Sequence, residues 1–203
     1  SLRDAALSAD GRLVLIGRED GKAELVDTRT GRRLQFLGHT EQVNTVDLSA
    51  NGRYALTGGN DYSAYLWDTR TGQVVWRFNH AGRVVMARLD PSGRFAFTAD
   101  SRQASIWDLK TGKEHSRLQY DHRFEVYTSA RFANGGNWLI TGAPSRQLTL
   151  WQVSDGQPLQ SWRVSPHPKV KPPSAVVYGV ALRDNDHLVS ASSSGLAEIW
   201  TIK

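Results

Sequence analysis

The chain has 203 residues, of which 39% are hydrophobic and 22% charged, a length that can bury its own core and a balance foreign to disordered or membrane-embedded chains. The absence of cysteine excludes disulfide frameworks, thiolate zinc sites, iron–sulfur clusters and cysteine nucleophiles. Twenty-five basic against 20 acidic residues leave a charge of +5, which admits acidic partners without requiring them.

In chain order, short alternating segments are separated by turns at regular intervals. A first turn at Asp10-Gly11 divides two apolar strands, and Val26-Asp27 ends a third strand before a turn from Thr28 to Gly31. The same order follows with Asn51-Gly52, then Ser63 to Trp67-Asp68, then Thr69 to Gly72. A third unit has Pro91-Ser92-Gly93, Ala104 to Trp107-Asp108 and Leu109 to Gly112. The fourth has Asn134-Gly135-Gly136, Trp151-Gln152 and Val153 to Gly156, and the fifth has Asp184-Asn185-Asp186 and Trp200-Thr201. The strand-ending positions 26, 67, 107, 151 and 200 are spaced by 41, 40, 44 and 49 residues. Alternation bounded by turn residues marks half-buried strands, so each unit reads as short antiparallel strands joined by tight turns, with almost no helix.

Aromatic residues recur at fixed positions of the unit. Tyr54, Phe95 and Trp138 share one position of the second strand, and Leu37, Phe78, Leu118 and Trp162 one position of the fourth. Trp67, Trp107, Trp151 and Trp200 are expected to be buried between sheets, and Trp76 to be more exposed because its column holds Gln35, Ser116 and Gln160. Apolar runs such as Leu13 to Ile16 fall far below the roughly 20 residues that span a bilayer. No charged-then-apolar leader is visible, so the compartment stays open: cytoplasm fits, as does the cell envelope if an upstream signal or anchor has been removed.

The register Gly38-His39-Thr40-Glu41-Gln42-Val43, Asn51-Gly52-Arg53, Asn60-Asp61 and Leu66-Trp67-Asp68 resembles the WD-repeat β-propellers. That resemblance implies an all-β fold of four-stranded antiparallel blades forming a single domain or propeller segment over residues 1–203. Its five repeats run over approximately 1–37, 38–78, 79–118, 119–164 and 165–203. Reading strands outward gives 19, with the last blade one strand short and an edge open to pairing with another chain. Because similar proteins most often have seven blades, a segment of a seven-bladed ring with about two blades missing upstream is expected, a closed five-bladed ring being the alternative.

The same resemblance implies a structural tetrad of His39, Thr57, Asp61 and Trp67, a chain in which indole, hydroxyl, imidazole and carboxylate satisfy one another. Only the second blade shows the full set. Ile16 and Val26 replace hydroxyl and indole in the first, Ser145 and Ser194 stand where Asp is expected, and one residue is missing between Thr98 and Trp107, which leaves the role of Asp100 open. Asp27, on an outer turn, is expected to matter less than Asp61. Partners of such propellers dock on the narrower top face. Carried over position by position, that face holds Arg3, Glu19, Gln42, Asn44, Asn60, Arg83, Val85, Tyr127, Thr128, Tyr178 and Ser193. A proline-rich insertion from Ser165 to Ser174, with Pro166, His167, Lys169 and Lys171, stands as a candidate lip beside it.

Six scattered histidines without metal-ligand spacing, and no nucleophile elbow or phosphate loop, argue against an enzyme. No catalytic residue, metal or cofactor is assigned. The expected function is a protein-interaction scaffold. A nucleic-acid or anionic-surface binder using Arg83, Arg88, Lys169 and Lys171 is the alternative, although Arg12, Arg53 and Arg94 show the basic residues spread over a repeated turn.

Overall fold

Strands of five or six residues with alternating character have one face to bury, and a turn after each folds it onto its neighbour. The computed structural model describes residues 1–120, 126–167 and 174–203. Its first sheet is β1 (Leu2–Leu7), β2 (Leu13–Arg18), β3 (Ala23–Asp27) and β4 (Arg33–Phe36). The second is β5 (Val43–Leu48), β6 (Tyr54–Gly59), β7 (Ser63–Asp68) and β8 (Val74–Asn79). The third is β9 (Met86–Leu89), β10 (Phe95–Ala99), β11 (Ala104–Asp108) and β12 (Glu114–Arg117). The fourth is β13 (Ser129–Ala133), β14 (Trp138–Gly142), β15 (Gln147–Gln152) and β16 (Pro158–Arg163). The fifth has three strands, β17 (Val177–Asp184), β18 (His187–Ser192) and β19 (Ala197–Thr201). Every sheet is antiparallel in chain order, and the one helical turn among the described residues is the 3₁₀ segment Asn134–Gly136. The five sheets are consistent with the blades of a β-propeller.

The innermost strands pack in succession, β1 on β5, β5 on β9, β9 on β13 and β13 on β17. A separate hydrophobic core fills each gap between successive sheets. In the first gap Phe36 stacks on Trp67 with ring centroids 4.9 Å apart, and in the second Phe78 stacks on Trp107 at 4.6 Å. Leu118 with Trp151, and Val164 with Trp200, belong to the third and fourth cores. Polar contacts join the inner strands as well: the Asp4 carboxylate accepts the Val46 amide at 2.9 Å, and Asp47 that of Leu89 at 2.7 Å.

The turn between third and fourth strands is closed by the carboxylate that follows the tryptophan. Asp68 accepts the amides of Arg70 and Thr71, and Asp108 those of Lys110 and Thr111. Asp27 does the same for Arg29 and Thr30 and also pairs with Arg12 at 2.9 Å, so it is a turn cap rather than an idle surface residue. Each turn ends on a glycine with positive φ, as at Gly156 (φ 74), where a Cβ would also lie 2.0 Å from the Arg117 carbonyl oxygen.

Two column assignments shift by one residue in the first sheet. Phe36, not Leu37, pairs with Ala23 as Phe78 pairs with Ala64; Phe36 is 4% exposed and Leu37 67%. The second, third and fourth sheets each carry a β-bulge in the outer strand at the tryptophan, and the first pairs without one. An extra residue reverses the faces of all that follow it. For the same reason Leu34, not Gln35, is the counterpart of Trp76, the two standing opposite Leu25 and Leu66. Nor is Trp76 the exposed exception: it is half-buried like Trp107 and Trp200, while Trp67 and Trp151 are buried. The column of Tyr54, Phe95 and Trp138 holds in register, opposite Asp68, Asp108 and Gln152, but Tyr54 faces solvent.

This register is open to a paired test. Phe36→Ala should remove roughly 3 to 5 kcal/mol of stability in urea unfolding, and Leu37→Ala should stay within about 0.5 kcal/mol. The reverse order would restore the bulged register.

Candidate protein-binding face

The short connection from β4 to β5 lays His39 against the second sheet, where its side chain is fully buried. His39 Nε2 meets Thr57 Oγ1 at 2.9 Å and Nδ1 meets the Asp61 carboxylate at 3.0 Å, and Asp61 also accepts the amides of Thr40 and Ser63. Burial alone would raise the Asp61 carboxyl; the hydrogen bonds from His39, Thr40 and Ser63 outweigh it and hold the group below its ordinary 3.8. Trp67 lies beside this chain, yet its indole nitrogen is buried without a hydrogen-bond partner. Its position is held by the stack on Phe36.

A second such set stands in the third sheet, where the spacing of Asp100 left its role open. Trp107 donates to Thr98 Oγ1 at 2.7 Å, Thr98 meets His80 Nε2 at 2.8 Å, and His80 Nδ1 faces the Asp100 carboxylate at 3.4 Å without hydrogen-bond alignment. Asp100 itself accepts the amides of Gly82, Arg102 and Gln103, the turn geometry that brings it into place. Burial lowers His80 below its ordinary 6.5, against the opposing pull of Asp100. In the fourth and fifth sheets the indoles of Trp151 and Trp200 donate to Thr141 and Ser190 at 2.8 Å.

These buried chains anchor the ends of the sheets where the innermost strands begin and the second-to-third-strand turns project, here called the upper face. Four of the expected residues meet there. The Arg3 guanidinium lies 3.0 Å from the Gln42 carboxamide, Gln42 contacts Asn44 at 2.8 Å, and Asn44 donates to Asn60 at 2.7 Å and to the Val84 carbonyl at 3.0 Å. The same end of the Gln42 carboxamide faces both neighbours, so one amide orientation serves either Arg3 or Asn44, while Asn44 ties the second sheet to the segment leading into the third. Glu19 stands at the exposed edge, where the hydrogen bond it accepts from the Ser1 hydroxyl holds its carboxyl below the ordinary range. Arg83 is exposed, and Tyr178 presents 65% of its surface.

Other expected residues have structural duties. Tyr127 is only 3% exposed and sits edge-to-face on Phe97, 5.8 Å between centroids, so the third core claims it. Thr128 donates to the Val177 carbonyl at 2.6 Å and so ties the fourth sheet to the fifth. Val85 is half-buried with its amide on Ala99, and Ser193 accepts the Val176 amide at 2.8 Å. Pro166 and His167 are half-buried; Lys169 and Lys171 lie outside the described residues.

The WD domain, G-beta repeat family model matches residues 31–68. The chain carries a WD repeat. That stretch takes in the outer strand of the first sheet, His39, Thr57, Asp61 and the Trp67-Asp68 pair. No curated protein matches the chain. Around the WD repeat, the described residues include no group of three or more His, Asp or Glu able to hold a metal ion, and no helix long and apolar enough to cross a membrane.

Asp61→Ala should cost roughly 1 to 3 kcal/mol, because it strips the buried His39 of its carboxylate; an unchanged urea midpoint would dismiss this role. His80 adds a pH dependence. With its folded-state value lowered, its contribution is complete above 6.5 and is lost as the pH falls through the folded value. The calorimetric midpoint should therefore fall between about pH 7 and 5, and fall less steeply in His80→Gln. An identical slope in both proteins would assign the effect elsewhere.

Proposed function

We propose that this chain is a non-catalytic scaffold that holds a partner protein or peptide on its upper face. The observation that carries the reading is the WD repeat at residues 31–68, a unit that serves in general as a protein-interaction scaffold. The fold supports it: a rigid stack of sheets displays variable side chains at strand ends and turns, where recognition residues concentrate. Arg83 and Tyr178 are exposed there, and arginine and tyrosine dominate the energetics of interfaces. The hydrogen bonds that join Gln42, Asn44 and Asn60 hold polar groups in place before a partner arrives, which reduces the entropy lost on binding. Of this residue set only Arg3 and Arg83 are basic, little charge for a phosphate backbone to use.

The test compares proteins captured from cell extract by the wild type and by an Arg83→Ala, Tyr178→Ala double variant. Each truncation should cost a true partner about 1 to 2 kcal/mol with the melting midpoint unchanged. Retention of the partner by the double variant, together with its loss on Arg94→Ala at the opposite end of the sheets, would move the site to that end.

A further inference from the structure

At three of the four gaps between sheets, one residue in the middle of the outer strand reaches across to the backbone of the next sheet. Trp76 donates to the Leu109 carbonyl at 2.9 Å, Ser116 to that of Val153 at 2.6 Å, and Gln160 to that of Thr201 at 3.3 Å. These residues stand opposite Leu66, Ile106 and Leu150. In the first sheet the position opposite Leu25 is Leu34, which has no donor. The Trp76 ring also covers the turn of the third sheet so closely that a Cβ on Gly112 would collide with it, whereas a Cβ on Gly72 would lie 3.9 Å from Leu34.

An open cleft of about 520 Å³ results between the first and second sheets, at the end opposite the upper face. The corresponding cleft between the second and third sheets, beside Trp76, measures about 380 Å³. Leu13, Leu25 and Leu34 line the larger cleft, and arginines surround them. Arg12 pairs with Asp27 at 2.9 Å and Arg53 with Asp68 at 2.6 Å, but Arg32 and Arg70 form no ion pair among the described residues. The smaller cleft has Lys110 alone as a basic lining residue. Arg94, the counterpart of Arg53, turns away from it to the Gly135 carbonyl and Asn137 of the fourth sheet.

We propose that the cleft between the first and second sheets binds an acidic peptide segment of a partner protein, with an aromatic side chain on the leucines and carboxylates against Arg32 and Arg70. The protein itself indicates the aromatic occupant, since an indole spans the equivalent gap one sheet further on. The excess of arginine supplies the charge complementarity, and guanidinium groups suit bidentate carboxylate binding. A peptide fits better than a nucleic acid, because apolar side chains line the floor of the cleft and suit a side chain rather than a phosphate backbone. This surface is separate from the upper face and does not depend on the function proposed for it.

The probe is a fluorescein-labelled peptide of alternating Glu and Asp with one central Trp, followed by anisotropy against the whole chain. Arg32→Glu with Arg70→Glu should weaken binding at least tenfold, as should replacing the peptide Trp by Ser. Leu34→Trp, which closes the cleft from within, should also abolish binding; if that variant does not fold, the charge-reversed protein decides. Arg83→Ala with Tyr178→Ala should bind as the wild type does, so failure of the upper-face reading would leave this result untouched. The proposal is overturned by no measurable binding, by equal affinity of the Ser peptide or of the charge-reversed protein, or by stronger displacement with a single-stranded oligonucleotide of equal charge.

Discussion

The structure depends on an aromatic wedge between neighbouring sheets. A sheet of three or four short strands is marginal alone, since half its apolar face meets water until another sheet covers it. Here the tryptophan that ends the third strand of one sheet is covered by a side chain from the outermost strand of the sheet before it, Phe36 on Trp67 and Phe78 on Trp107. The contact sets the distance at which the sheets stack. It also explains why Trp67 holds its place without a partner for its indole nitrogen. Apolar burial and ring stacking fix the ring, and in the third, fourth and fifth sheets the hydrogen bonds to Thr98, Thr141 and Ser190 add direction to a position already set.

Much of this was legible in the sequence because the repeat is written in turn residues and tryptophans, whose spacing survives whatever a blade is used for. The number and order of the nineteen strands among the described residues followed from alternation and from glycines that tolerate positive φ. What escaped depended on geometry without a residue signature. A bulge adds one residue to an outer strand and leaves no mark in composition, so Leu37 looked like the partner of Phe78 when Phe36 was. Tyr127 sits at a position where a partner-facing residue was expected, but the turn of the chain delivers it to Phe97. The spacing of Asp100 obscured the His80 chain, although His80 itself lies 27 residues before its tryptophan, close to the 28 of His39.

The two ends of the sheets differ in chemistry. At the upper face, Gln42, Asn44 and Asn60 are joined by hydrogen bonds beside the Arg3 guanidinium, with Arg83 and Tyr178 exposed nearby. At the other end, aspartates cap the turns and arginines crowd the gap between the first two sheets. A shared frame with dissimilar ends allows more than one segment to be held at once without mutual exclusion.

The missing bulge in the first sheet has a reach beyond register. Were β4 bulged at Leu34 with its sequence unchanged, Gln35 would stand opposite Leu25 and Leu37 opposite Ala23. A glutamine there could cross to the next sheet as Gln160 does, and a leucine would still fill the core. The gap would be sealed without exchanging one side chain for another. A repeat protein of this design therefore holds a source of new specificity in the register of its outermost strands, where one bulge gained or lost opens or shuts a crevice while the inner strands keep their pairing.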